Sequence, residues 1–187
     1  MSEPSSYWGV AEPAANWRLI SGDLLDVNVW VGLCSAAHPF HDPAMRYWQS
    51  ACETETPLWF CRTTMMGLVR VLSQPRAMGP NVLTLTQAMA MYRQWLNTPA
   101  VGLLADPPSL DDAIEQILGR RGEPQPIRLW TDMCLAATAQ SAGLRMVTFD
   151  RDFQRFGLTR CLVLPTDANP HTNPHTNYRP KHIHCDI

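Results

Sequence analysis

Short apolar runs alternate with longer amphipathic stretches along this chain. Leu24-Leu25, Leu58 to Cys61, Val101 to Leu104, Met146 to Phe149 and Cys161 to Leu164 are brief, apolar and bounded by polar or turn residues, as buried strands are. The stretches between them have helical spacing. Val29 to Ala36 is expected to be a short helix with Asn28 as its N-cap. His41-Asp42-Pro43 opens a second, from Pro43 to Cys52, with proline tolerated in the first turn. Thr63 to Leu72 forms a third that stops near Pro75. In a fourth, Thr86 to Leu96, the residues Leu85, Ala88, Met89, Tyr92 and Trp95 fall at helical spacing. Ser109 caps a helix reaching Leu118, with Asp111 and Asp112 in its first turn. Gly119 to Pro126 is a loop, and Leu129 to Ala142 is a buried helix ended by Gly143. Strands alternating with helices predict an α/β domain with a mostly parallel sheet.

The pattern fades at both ends. Residues 1–20 form an arm with Pro4, Pro13, Trp8 and Trp17, expected to pack on the body formed by residues 21–165. Residues 166–187 repeat Asn-Pro-His-Thr and build no core, so they read as a low-complexity, disordered or surface-bound tail. Four of the six histidines lie there, where nothing fixes a metal-binding geometry.

The 187 residues, 45% of them apolar, suffice for a single domain with its own core. No apolar run is long enough to span a bilayer, and no secretory pattern opens the chain, which points to a cytoplasmic protein. Cys34, Cys52, Cys61, Cys134, Cys161 and Cys185 show no C-x-x-C pair and read as reduced, buried thiols. A net charge of −2 argues against general affinity for nucleic acid. Fourteen of the fifteen basic residues are arginine, whose planar fork suits phosphate.

Three aspartates stand where apolar elements meet polar ones. Asp26 follows the first strand, Asp150 follows Met146 to Phe149, and Asp132 lies at the start of an Ala-rich helix. A carboxylate on the edge of an apolar element is costly to desolvate and needs a partner. Open α/β sheets bind ligands beyond the carboxyl ends of their strands. Three carboxylates gathered there would suit a hard cation, magnesium or manganese. Any one of them alone would more simply be a helix cap or a surface ion pair.

Leu24-Leu25-Asp26-Val27-Asn28-Val29, His38 to His41, Gly67-Leu68-Val69-Arg70-Val71-Leu72, Trp130-Thr131-Asp132 with Leu135-Ala136-Ala137, and Val147-Thr148-Phe149-Asp150-Arg151-Asp152-Phe153 occur in the order found in PIN-domain ribonucleases. Over Asp23 to Leu164 the chain resembles the VapC toxins of bacterial toxin–antitoxin pairs. The resemblance implies a three-layer α/β/α domain around a sheet of four to five strands. It further implies magnesium-dependent endoribonuclease activity, a homodimer, and inhibition by a cognate antitoxin protein. Asp26, Asp132 and Asp150 would hold Mg2+ or Mn2+ and carry catalysis, with Asn28, Thr148 and Asp152 in support and Arg70 and Arg151 on the RNA phosphates. The chain departs from the family at Met65, where a glutamate is usual. A thioether is a poor ligand for a hard cation, so a second metal site is in doubt. Met65 is expected to line the acidic pocket and weaken it. The alternative is a degenerate PIN-fold module that binds RNA or an antitoxin without efficient cleavage. Phosphatases and receiver domains with an aspartate after strand one also need a lysine, and the single lysine here, Lys181, lies in the tail.

Overall fold

Leu24 and Leu25 belong to two different apolar clusters, one on each face of a sheet, and that alternation organises the molecule. The computed structural model describes residues 20–119 and 126–166. The expected arm, the expected tail and most of the loop from Gly119 to Pro126 lie outside the described residues.

Among the described residues five strands form one sheet: β1 (Asp23–Leu25), β2 (Leu58–Phe60), β3 (Val101–Leu103), β4 (Arg145–Thr148) and β5 (Cys161–Val163). Their order is β3-β2-β1-β4-β5, and every neighbouring pair is parallel. The helices are α1 (Val27–Cys34), α2 (His41–Glu53), α3 (Arg62–Leu72), α4 (Pro75–Met78), α5 (Leu85–Leu96), α6 (Leu110–Gly119) and α7 (Trp130–Ser141). One face of the sheet buries Leu25, Leu58, Phe60, Val101 and Val147 against α1, α2, α3 and α5. The other buries Leu24 and Met146 against α6, α7 and the 3-10 turn Arg151–Phe156. Period-2 alternation along parallel strands thus fills two cores and makes three layers.

The first core centres on Trp30, fully buried and stacked on Phe60 with ring centroids 3.7 Å apart. α1 and α3 meet at Gly67, where a Cβ would overlap the Val27 side chain. This fixes α3 against the helix that follows Asp26.

Several sequence expectations change in detail. α1 starts two residues earlier than expected, because Asp26 and not Asn28 is its N-cap. Pro75 ends α3 as expected but also opens the short α4, where its missing N–H costs nothing. Gly143 follows α7 with φ 68, as the expected C-terminal stop requires. Among the described thiols Cys61 is buried, Cys34, Cys134 and Cys161 are half-buried, and Cys52 is exposed, so the expectation of buried cysteines holds only in part. No helix among the described residues is long and apolar enough to cross a membrane.

Candidate metal centre

The chain turns back on itself between β1, which leads to β2 on one side, and β4, which lies on the other. Both strands end at this switch point, the usual ligand crevice of an open parallel sheet. Asp26 follows β1, and Asp150 stands two residues beyond Thr148, the last residue of β4. Asp132 sits in the first turn of α7, which packs on the sheet face beside β4.

Thr148 ties the first two acids together. Its hydroxyl, fully buried, donates to Asp26 Oδ2 at 2.7 Å and accepts the Asp150 backbone N–H at 2.9 Å. Asp26 Oδ1 accepts the Val27 N–H at 2.6 Å, which starts α1. Asn28 bridges from α1 to β4: its amide donates to Thr148 Oγ1 at 3.3 Å, and its carbonyl accepts the Phe149 N–H at 3.3 Å. Asn28 is therefore a crosslink between α1 and the end of β4, not the helix cap. Asp150 Oδ1 accepts the Asp152 N–H at 2.8 Å and caps the 3-10 turn behind it.

The chain contrasts two buried acids on one strand. Asp23, at the amino end of β1, is compensated by the Arg145 guanidinium at 2.8 and 2.6 Å and by the Tyr47 hydroxyl at 2.6 Å. Asp26, at the carboxyl end and 6% exposed, has only the neutral donors Thr148 and Val27 among the described residues. Its hydrogen bonds are made, but its charge is not balanced. Burial lifts its carboxyl from the usual range to about 6, Thr148 and Val27 pull it down, and the charges of Asp132 and Asp150 push it further up. Asp132 is also raised to about 6, by burial and then by Asp150 and Asp152, with Arg128 acting in the opposite direction. Asp26, Asp132 and Asp150 are thus close enough to feel one another's charge. Among the described residues, no three His, Cys, Asp or Glu side chains stand close enough to enclose an ion as placed. In kind, the set fits a hard divalent cation: carboxylate oxygens in surplus, with no protein cation bound to Asp26.

The remaining expected residues divide. Asp152 lies beside the acids but is held by Arg128 at 3.4 Å and Arg155 at 3.3 Å. Arg151 is exposed at the start of the same turn. Arg70 is in the last turn of α3, roughly 12 Å along the helix from its start at the carboxyl edge, and is not brought to the acids. Met65 stands in the first turn of α3, at that same carboxyl edge. It is half-buried against the first core and walls a groove with Met66, Val69, Arg70, Ser73, Gln74, Pro75 and Leu85, none of them an acid. Its apolar side chain is held by packing. The sequence reading missed Arg128 altogether: it follows a loop, and nothing in its neighbours signals that the fold turns it toward Asp132 and Asp152.

The sequence profile of the PIN domain matches residues 24–158. The chain is 31% identical over 137 residues to Ribonuclease VapC41 of Mycobacterium tuberculosis, covering 72% of this chain and 92% of that relative. Among solved structures, VapBC2 from Rickettsia felis bound to a promoter DNA fragment superposes with a TM-score of 0.57 at 11% identity, over 78% of this chain and all of that one. VapC20 of Mycobacterium tuberculosis, a Sarcin-Ricin loop cleaving toxin, superposes with a TM-score of 0.54 at 20% identity, over 77% of this chain and all of that one. At these identities the structures speak for the fold.

Proposed function

Because this chain belongs to the PIN domain family and has VapC ribonucleases as its curated relatives, we propose that it is a divalent-metal-dependent endoribonuclease, the toxin of a type II toxin–antitoxin pair. The observation that carries the reading is Asp26: a buried carboxylate with neutral partners, coupled to Asp132 and Asp150 at the switch point of the sheet. Asp26, Asp132 and Asp150 would hold magnesium or manganese. A divalent ion at such a site acidifies water and offsets charge on a phosphodiester undergoing in-line attack.

The chain's own residues do the rest. Thr148 fixes the Asp26 carboxylate and the Asp150 backbone with one hydroxyl, which anchors both residues to the end of β4. Asn28 ties the first turn of α1 to the end of β4. Arg128 and Arg155 pair with Asp152 beside the acids, and Arg151 remains available to a phosphate. Arg70, remote from the acids, is the weaker phosphate candidate. Residues 21–165 would form the catalytic domain, with the arm and tail as accessories. Partners would be an RNA substrate, a cognate antitoxin and a second copy of the chain.

The degenerate reading is not favoured. It rests on Met65 alone, whereas Asp26, Asp132 and Asp150 are all present. The two readings separate in one assay. Purified chain incubated with total RNA should cleave it in magnesium or manganese and stop in excess chelator. Intact RNA in both metals would sustain the binding module instead.

A further inference from the structure

We infer that Trp130 is a stacking platform for a base of single-stranded RNA beside the acidic edge; this rests on the ribonuclease reading above. Trp130 is the first residue of α7, two residues before Asp132. Of the five described tryptophans, Trp30 and Trp95 are buried, and Trp48 and Trp59 are half-buried. Trp130 is 49% exposed, and Ile127, one turn earlier, is 92% exposed. Leu129 between them is buried and anchors the segment, so both side chains are displayed from a fixed backbone. Neither belongs to either apolar cluster of the described residues. At the start of α7, two residues before Asp132, the exposed indole presents a flat π-face to solvent.

The charge around it selects the occupant. Arg128 and Arg155 share the single carboxylate of Asp152, and Arg151 is exposed next to it. Arg128, Arg151 and Arg155 set three guanidinium groups among Asp132, Asp150 and Asp152, so donors for phosphate stand on the rim of the acidic site. Arginine for phosphate and an exposed indole for a base face are together how single strands are held, whereas a duplex offers no unstacked face.

The test uses the full chain carrying Asp132→Asn, so that bound RNA stays intact, with magnesium and a fluorescein-labelled random-sequence single-stranded RNA pool. Trp130→Ala in that background should weaken binding about tenfold, the loss of one stacked base. Trp130→Phe should recover most of it. The salt dependence should be the same in all three, because stacking releases no counterions. Affinity for a duplex RNA of similar length should not change. Equal single-strand affinity in Trp130→Ala and its parent would overturn the inference and leave the ribonuclease reading standing. A parent that binds no single strand would likewise overturn the inference, while the cleavage assay with the unmodified chain decides the ribonuclease reading. A loss accompanied by a lower molecular mass in light scattering would overturn it in favour of a contact between two copies of the chain.

Discussion

Asp26→Asn should abolish RNA cleavage and at the same time make the metal-free protein more stable near neutral pH. The first effect follows from removing one of three carboxylates proposed to hold the cation. Several kcal/mol of charge stabilisation correspond to a rate loss of roughly a thousandfold. The second follows from burial. The Asp26 carboxyl is raised to about 6 in the folded chain from 3.8. A raised carboxyl penalises the ionised folded state, so the cost is fully present above about 6 and absent below the ordinary aspartate range. At neutral pH that cost is about 3 kcal/mol. Asparagine removes the charge but cannot accept from both Val27 and Thr148, which returns about 1 kcal/mol. A net gain of about 1–2 kcal/mol should therefore appear in neutral denaturant melts of chelated protein, and vanish in acid. A variant that is inactive and less stable at neutral pH would show Asp26 to be structural.

Asp23→Ala should have the opposite signature, a large loss of stability with the acidic crevice left in place. Asp23 is 1% exposed and joins β1 to β4 through Arg145 and to α2 through Tyr47. Removing one partner of a buried ion pair strands the other, at about 3–5 kcal/mol. The Arg145 side chain is 39% exposed and can turn to water, which lowers the estimate to about 2–4 kcal/mol. For a domain of this size the melting temperature should fall by about 5–15 °C. A melting temperature equal to that of the parent would mean that the pair gains no more from attraction than it loses in desolvation.

The contrast between these two acids was only half visible in the sequence. Asp26 and Asp150 announce themselves because each follows an apolar run, and strand-end position can be read directly from such a boundary. Leu24-Leu25 and Met146 to Thr148 likewise give strands of the right faces, since period-2 alternation is a local property. Asp23 carried the same local signal as Asp26, yet its partners Tyr47 and Arg145 lie 24 and 122 residues away. Nothing local distinguishes a paired buried acid from an unpaired one. Asn28 was misread for the same reason: a polar residue before an apolar helix looks like a cap until the neighbouring strand supplies other partners. At Met65 the family pattern marks only a missing carboxylate, whereas the groove that Met65 walls with Pro75 and Leu85 joins α3, α4 and α5, which no local pattern brings together.

The central claim is that Asp26, Asp132 and Asp150 form a cation site whose acids are held partly protonated until an ion arrives. Calorimetric titration of manganese into the chelator-stripped chain, repeated in buffers of different ionisation enthalpy, tests it most directly. Asp26 and Asp132 both stand at about 6, so each is half protonated there, and a ligating carboxylate must be ionised. Binding at about pH 6 should release roughly one proton per ion in total, falling toward none as the pH rises two units. Asp26→Asn should bind more weakly and release fewer protons. Binding that releases no protons at about pH 6, or that survives unchanged in Asp26→Asn, would contradict the account.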